Sequence, residues 1–421
     1  MNAVDTVVIG AGHAGLAMSA HLAARGRDHV VLDRGRTAER WRSERWDSLR
    51  LLTPNWMTRL PGYDYRDPDP DGYMTAAELA GLLNRYAAAL RLPVMENTAV
   101  RVVEAADAGY RIVTDGDTWS AANVVIATGA CDAPAVPAIA AGLHPAFTQI
   151  PTSAYRNPAQ LPPGGVLVVG ASASGLQIAD ELRSAGREVV LATGSHTRLP
   201  RRYRGMDVMW WLEAIGALDR SVDDMPDPVR ARREPSLQLV GRPDAADLDL
   251  GTVSAAGVRV TGRLTALDGA VAHFDRSLAA TVAFADERLR RLLDRIDDFA
   301  TATGLDGEVG EPDPPAPLDL ADGIDRIDLG KTGVRTVVWA TGFRQDHHWL
   351  PAAALDEHGE VQQRYGATPL PGLFTVAQRF QTRRNSTFLG GSRHDAALVA
   401  THLERLGPAR RRAGVALRAR S

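Results

Sequence analysis

The sequence contains one cysteine, Cys131, in 421 residues, which excludes a disulfide framework, a cysteine-based zinc site and a dithiol redox pair. Lysine is equally scarce, because 48 residues are basic and only Lys331 among them is a lysine. Anionic ligands are therefore expected to meet arginine forks or backbone amides. No apolar run approaches the roughly 18 residues that a membrane span needs. A net charge of −3 argues against nucleic acid as the main partner.

The composition is typical of a globular chain, with 45% hydrophobic and 24% charged residues. At about 150 residues per domain, the length suggests three lobes, or two with an insertion. The apolar stretch from Thr6 to Ala24 does not resemble a signal peptide, because Asp5 replaces a basic segment and three glycines interrupt the stretch. We expect a cytoplasmic enzyme.

An internal repeat is the most informative feature. Residues 7–35 and residues 167–195 align without a gap at an offset of 160. Each copy contains an apolar strand, a glycine-rich turn, a helix and a second apolar strand, which is a βαβ unit written twice. The repeat predicts an α/β protein with two Rossmann-like dinucleotide-binding domains.

Apolar patterns in the rest of the chain predict further elements. Helices are expected at 75–92, 205–218, 284–303 and 392–406, and strands at 98–103, 110–114, 123–128, 334–340 and 373–377. These elements suggest that the second domain interrupts the first. The predicted division is 1–150 for the first part of one domain, 151–330 for the inserted domain with a helical insertion, and 331–421 for the return to the first domain.

The first glycine-rich turn, from Gly10 to Gly15, follows a strand and opens a helix. Gly10 permits the tight turn, Gly12 lets a pyrophosphate approach the backbone, and Gly15 lets the helix lie close to the strand. Asp33 ends the next strand, where a carboxylate can bind the hydroxyls of a ribose. These features favour a dinucleotide over a glycine-rich turn with no ligand.

The second turn, from Gly170 to Gly175, has Ser172 at its middle position. Thr193 stands at the position that matches Asp33, so no carboxylate repels a 2′-phosphate there. Basic and hydroxyl side chains follow, namely Ser195, Arg198, Arg201 and Arg202. The pattern favours NADPH over NADH; the alternative is that these arginines belong to a solvated loop.

These motifs resemble the class B flavin-dependent monooxygenases, which have two dinucleotide-binding domains. The resemblance is greatest to a bacterial branch labelled as flavoproteins of potassium transport, which is related to plant indole-3-pyruvate monooxygenases. It covers nearly the whole chain. The segments that carry it are Glu39-Arg40-Trp41, the run from Trp46 to Asn55, Tyr155 to Pro158, Pro200 to Gly205, the segment from Arg379 to Asp395, and the two Ala-Thr-Gly strand ends at 127–129 and 340–342.

The resemblance implies that the first domain binds FAD and the inserted domain binds NADPH. It assigns Asn55 as the catalytic residue beside the flavin. The residues that the motifs and the resemblance assign to cofactor binding are Gly10, Gly12, His13, Ala14, Gly15, Asp33, Arg34, Arg40, Trp41, Val100, Ala127, Thr128, Gly129, Gly170, Ser172, Ser174, Gly175, Thr193, Ser195, Arg198, Arg201, Arg202, Ala340, Thr341, Gly342 and Phe388. No metal site is expected.

The activity implied is NADPH- and oxygen-dependent oxygenation of a small apolar or aromatic substrate through a C4a-(hydro)peroxyflavin. The protein would act as a monomer or homodimer. One departure favours an alternative: the family fingerprint between the domains lacks its glycine at Phe147-Thr148-Gln149 and its histidine at Pro151-Thr152-Ser153. The alternative enzyme is an NADPH oxidase or a flavin reductase that uses a quinone or another acceptor. A non-enzymatic nucleotide sensor that regulates ion transport is a third hypothesis.

Overall fold

A computed structural model describes residues 2–407 of the chain. The last residues of the predicted final segment, 408–421, lie outside the described residues. One mixed sheet with a parallel central part and one parallel sheet, each combined with a glycine-rich turn and a helix, confirm the predicted α/β class with two Rossmann-like domains.

The helices and strands are numbered in chain order. The strands are β1 Asn2–Ile9, β2 His29–Leu32, β3 Arg59–Leu60, β4 Tyr63–Asp64, β5 Val94–Met95, β6 Val100–Ala106, β7 Gly109–Thr114, β8 Thr118–Ile126, β9 Ala133–Pro134, β10 Thr148–Pro151, β11 Gly165–Val169, β12 Val189–Ala192, β13 Thr197–Arg198, β14 Arg202–Tyr203, β15 Met206–Asp207, β16 Leu237–Gln238, β17 Arg259–Thr261, β18 Leu264–Asp268, β19 Val271–Phe274, β20 Arg326–Asp328, β21 Val334–Trp339, β22 Phe343–Arg344 and β23 Leu373–Thr375. The helices are α1 His13–Ala24, α2 Glu39–Ser43, α3 Ala76–Ala89, α4 Ala173–Ser184, α5 Val208–Ala214, α6 Pro228–Arg232, α7 Leu250–Ala255, α8 Leu278–Thr303 and α9 Ser392–Arg405.

The first sheet has the order β5-β2-β1-β8-β7-β6, and β23 pairs with the end of β8. Strands β2, β1, β8 and β23 run parallel, so their carboxyl ends meet at one edge of the sheet. Helix α9 packs in the same core as α1, where Val399 and Leu403 join Leu16 and Leu22. This domain is therefore completed by segments from both ends of the described chain.

The second sheet is parallel throughout, with the order β10-β21-β11-β12-β17. It corrects the predicted boundaries at 150 and 331. Strand β21 was expected to return to the first domain, but it lies between β10 and β11 in the second. The hydrophobic pattern of a buried strand is the same in either sheet, so the sequence could not assign it. The return to the first sheet comes at β23.

Several element boundaries also differ from the predictions. The helix expected over 205–218 is shorter, because residues 202–207 form the small hairpin β14–β15 and Asp207 caps α5 by accepting a hydrogen bond from the Met209 amide at 2.7 Å. Helix α8 begins six residues before its predicted start. Its buried face packs with α5 in one apolar cluster, which Leu52, Met57 and Phe388 of the first domain also join.

Arg201 ties the two domains together. Its guanidinium is 1% exposed, donates to the backbone carbonyl of Leu52 at 2.8 Å and pairs with Asp207. It also lies over the Tyr73 ring, 5.0 Å from the centroid, and the Tyr73 hydroxyl donates to Asp207 at 2.7 Å. The second domain is thereby fixed to the segment between Leu52 and Tyr73.

We predict that Arg201→Ala destabilises the protein by about 3–5 kcal/mol, because removing one partner of a buried ion pair leaves the other uncompensated. The matched control is Arg202→Ala, since Arg202 is exposed and a surface change costs within about 0.5 kcal/mol. Urea unfolding of the two variants measures the difference. Equal midpoints would contradict the prediction.

Candidate functional site: two dinucleotide cradles and an interdomain cavity

The first glycine-rich turn has no room for side chains at two of its glycines. Gly10 has a φ of +109°, and a Cβ there would lie 2.6 Å from the Ala127 carbonyl oxygen. A Cβ at Gly15 would lie 1.8 Å from the Gly10 carbonyl oxygen. At Gly12, in contrast, a Cβ would meet nothing within 4 Å. The backbone at Gly12 therefore faces open space, as a pyrophosphate cradle requires.

The second turn repeats this geometry. A Cβ at Gly175 would lie 1.8 Å from the Gly170 carbonyl oxygen, and Gly170, with a φ of +106°, has the Ala340 carbonyl oxygen 2.4 Å from its Cβ position. Each Ala-Thr-Gly strand end thus packs against its own glycine-rich turn. Ala340 to Gly342 belong to the second cradle, although their sequence position suggested the first domain.

The starts of α1 and α4 leave their first-turn amides without a side-chain cap. Ser172 occupies the N-cap of α4 but does not cap it, and its φ and ψ of −79° and −174° nearly equal those of Gly12. Helix α3, by comparison, has a complete capping box. Both turns therefore present free amides and a positive helix end to an anion.

Asp33 lies beside the first turn, as predicted. Its Oδ2 accepts a hydrogen bond from the Ala11 amide at 2.6 Å, and its Oδ1 accepts from the Gly35 amide at 2.8 Å. The Thr98 amide donates to the Asp33 carbonyl at 2.7 Å, which brings the chain leading to Val100 to the same edge. A carboxylate has further lone pairs, so Asp33 can still accept from ribose hydroxyls.

Helix α2 closes another side of the first cradle. Arg40 donates to the Cys131 carbonyl and to Asp132, in the loop that follows Ala127, Thr128 and Gly129. Arg34 approaches the same carboxylate at 3.4 Å. Trp41 packs against the first core with the Arg45 guanidinium over its ring at 5.1 Å. Arg34 and Arg40 thus reach the loop beside the cradle.

His13 is partly buried at the first position of α1. Burial lowers the pKa of His13 to about 4, and a hydrogen bond with the Thr387 backbone opposes this shift only in part. The imidazole is therefore neutral at physiological pH and contributes no charge to the cradle. This contact connects the first turn to the segment that carries Phe388.

The structure corrects the predicted roles of Arg198 and Arg201 in binding NADPH. Arg198 is 5% exposed, and its guanidinium is held by Asp249 at 2.8 Å and Asp286 at 2.7 Å. Arg201 is occupied between the domains, as described above. Neither guanidinium is free to bind a phosphate. Spacing along the chain could not reveal this, because the acidic partners lie 51 and 88 residues from Arg198.

The other residues predicted for the second cradle differ in their exposure. Ser174 is half-buried in the first turn of α4, whereas Ser195 and Arg202 are exposed. Thr193 is fully buried, and its hydroxyl has no hydrogen-bond partner among the described residues. The Thr341 hydroxyl donates to the Ala135 carbonyl at 2.8 Å, so that side chain is already engaged.

Asn55 stabilises its own loop through side-chain hydrogen bonds. Its Nδ2 donates to the Asp69 carbonyl at 2.9 Å and to the Tyr65 hydroxyl at 3.4 Å, and its Oδ1 accepts from the Met74 amide at 2.9 Å. The side chain is buried, and both its amide hydrogens are used. The geometry therefore describes a residue that positions the 53–57 segment.

An interdomain cavity of about 210 Å³ lies between that segment and the start of α9. We define it by Thr53, Met57, Arg59, Glu213, Phe388 and His394, which line it. Arg59 pairs with Glu213 across the domains at 2.7 Å. Phe388 was predicted from sequence; the other lining residues were not, because they come from distant segments with no shared motif.

Asp395, in the first turn of α9, is buried behind this cavity. The Thr382 hydroxyl donates to its carboxylate. Burial nevertheless raises the pKa of Asp395 from its ordinary value of 3.8 to about 6. Ionisation of this carboxyl therefore opposes folding.

Within residues 2–407, no cluster of three or more histidine, cysteine or acidic side chains is arranged to hold a metal. The same part of the chain has no helix long and apolar enough to cross a membrane.

Comparison with known proteins agrees with this architecture. Residues 7–214 match the pyridine nucleotide-disulphide oxidoreductase family. An uncharacterised CzcO-like oxidoreductase of Geobacillus kaustophilus is 31% identical over 93% of this chain and 96% of its own length. The indole-3-pyruvate monooxygenase YUCCA1 of Oryza sativa subsp. japonica is 28% identical over 88% of this chain and 85% of its own.

A flavin-containing monooxygenase from Stenotrophomonas maltophilia has a similar structure, with a TM-score of 0.67, 20% identity, and coverage of 96% of this chain and 99% of its own. At that identity the likeness concerns the fold. From the sequence relatives and the paired cradles together, the chain belongs to the CzcO-like oxidoreductase family, within the class B flavoprotein monooxygenases.

The cradle geometry predicts different defects for alanine substitutions at Gly12 and Gly15. Gly12→Ala should fold normally but lose bound flavin, because its methyl group enters the space in front of the turn. Gly15→Ala should fail to form the cradle, because its methyl group collides with the Gly10 carbonyl. Flavin content and circular dichroism distinguish the two. Normal flavin binding in Gly12→Ala would contradict the assignment.

Asp395→Asn should stabilise the protein increasingly as the pH rises. The folded pKa of about 6 exceeds the ordinary 3.8, so the wild type is most stable when the carboxyl is protonated and loses stability between pH 4 and pH 6. Asparagine has no charge to bury, and its advantage should grow by about 3 kcal/mol across that interval. Urea unfolding at pH 4.5 and pH 7.5 tests this. An advantage that shrinks with pH would refute it.

Proposed function

We propose that the protein is an FAD- and NADPH-dependent monooxygenase that oxygenates a small molecule with molecular oxygen. The observation that carries the proposal is the pair of superimposable cradles, one with a carboxylate at the end of its second strand and one without. Asp33 suits the ribose hydroxyls of FAD, and Thr193 leaves room for the 2′-phosphate of NADPH.

The residues of the first cradle fit FAD. The open face of Gly12, the uncapped amides of His13 and Ala14, and the Asp33 carboxylate would hold the adenosine and pyrophosphate. The flavin would then extend toward Phe388 and the interdomain cavity. Bound FAD supplies hydride acceptance and oxygen activation; the protein supplies binding, orientation and exclusion of water.

The cavity lining favours a substrate with an apolar or aromatic body. Met57, Leu218 and Phe388 provide apolar surface. Three arginines line the same space, and each has a carboxylate partner: Arg59 pairs with Glu213 at 2.7 Å, Arg383 with Asp219 at 3.2 Å and Arg393 with Asp64 at 3.8 Å. We assign Asn55 a positioning role in this cavity, through the loop that it braces.

An NADPH oxidase or flavin reductase is the second candidate. The segment between the domains supports it, because Thr148–Pro151 is an ordinary edge strand of the second sheet. Gln149 there accepts a hydrogen bond from the Trp339 indole at 3.0 Å, which is a structural contact. The family's glycine and histidine are absent from this segment.

Rapid mixing tests the proposal directly. The purified yellow protein is reduced with NADPH without oxygen, mixed with oxygenated buffer and followed by absorbance. We expect a transient spectrum, distinct from reduced and oxidised flavin, that decays faster when a substrate is present. Labelled oxygen should then appear in the product. Direct return of oxidised flavin with stoichiometric peroxide, with every apolar or aromatic compound tested, would favour the oxidase.

A further inference from the structure

The second domain has an arginine at the edge of its nucleotide site that the sequence pattern did not reveal. Strands β12 and β17 are parallel and pair Ala192 with Thr261, so the residues after each strand emerge side by side. The Thr193 amide donates to the Thr261 carbonyl at 3.1 Å. The chain around 193–195 and the chain around 262–264 thus share the carboxyl edge.

Arg263 reaches across this edge to Gly194. Its Nη2, Cζ and Nε atoms lie 3.4, 3.5 and 3.9 Å from the point that a Cβ of Gly194 would occupy. Glycine therefore leaves the space in which the guanidinium lies against the backbone that follows β12. In a Rossmann-like domain, the end of this second strand is where the adenosine ribose is recognised.

The Arg263 guanidinium is also free to bind an anion. It is exposed, and within residues 2–407 the guanidinium forms no hydrogen bond or salt bridge, although its charge helps to lower the pKa of Asp275. The Arg263 backbone is engaged with the same residue: its amide donates to Asp275 Oδ1 at 2.9 Å, and its carbonyl accepts from the Asp275 amide at 2.9 Å. Arg198 and Arg201, the arginines nearer in sequence to Thr193, are buried in ion pairs. Arg263 is thus an unpaired guanidinium beside Gly194.

Directly after Gly194 in the chain, Ser195 and His196 line a cavity of about 220 Å³ with Thr281, Phe284 and Arg288 of α8. Its lining is mainly apolar, and Arg288 lies over the Phe284 ring at 6.0 Å. A flat base stacked against such a surface would place its ribose next to Gly194. The cavity and Arg263 therefore flank the same short stretch of backbone.

We propose that Arg263 binds the 2′-phosphate of NADPH and sets the preference for NADPH over NADH. The inference rests on the proposed function and names the residue that selects its reductant. A guanidinium matches a phosphate with two parallel donors, and a charged hydrogen bond contributes about 1.5–3 kcal/mol.

Calorimetry with 2′,5′-ADP and 5′-AMP tests the proposal on the flavin-loaded protein. Arg263→Ala should weaken binding of 2′,5′-ADP by about 10- to 150-fold and leave 5′-AMP unchanged. Arg263→Lys should recover part of the loss, because it keeps the charge without the fork. Arg259→Ala is the control: it removes an exposed arginine of β17, to which no binding role is assigned, and should change neither affinity. Thermal unfolding verifies that all variants are folded.

Unchanged 2′,5′-ADP binding in Arg263→Ala would overturn the inference, as would an equal loss for both ligands or an equal effect of Arg259→Ala. A wild type that does not prefer 2′,5′-ADP would overturn it as well. If NADH reduces the flavin in that same sample, the protein is still a flavin-dependent enzyme, but its reductant is NADH. If neither NADPH nor NADH reduces the flavin, the proposed function is refuted instead.

Discussion

The structure depends on a contact that only glycine permits. In both domains the first turn of a helix approaches the preceding turn so closely that a Cβ at Gly15 or Gly175 would overlap a carbonyl oxygen. This approach aims the free helix amides at one point and brings the Ala-Thr-Gly strand end against the turn. The sheet order, the helix packing and the two ligand positions all follow from placing these two turns at the carboxyl edges of parallel strands.

Arginine has two opposite uses in this chain. With almost no lysine, both the internal ties and the exposed cations are guanidiniums, whose planar forks can satisfy several acceptors even when buried. Arg201 and Arg198 hold parts of the fold together, whereas Arg263 lies exposed at a ligand edge. What separates these roles is the availability of carboxylates such as Asp207 and Asp249, which are adjacent only after folding.

The sequence predicted the paired cradles well because Gly10 to Gly15 and Asp33 act within one local βαβ unit. It assigned β21 to the wrong domain because a buried strand has no signature of its partners. It also misjudged Arg198, whose acidic partners are distant in the chain, and Arg201, whose contact with the Leu52 carbonyl joins segments 149 residues apart. The interdomain cavity escaped prediction for the same reason, since Thr53, Glu213 and His394 come from three separate segments. The sequence therefore revealed motifs whose residues lie close together in the chain, but not the contacts that form between distant segments.

The position of β23 and α9 has a consequence for how the protein is made. By residue 339 a growing chain has produced every strand of the second sheet, whereas the first sheet still lacks β23, and α1 still lacks the helix that covers it. The domain that begins first during synthesis is therefore completed last. Until α9 arrives, Leu16 and Leu22 lack part of their apolar cover, so the nascent first domain is the part of the chain most exposed to aggregation and to chaperones.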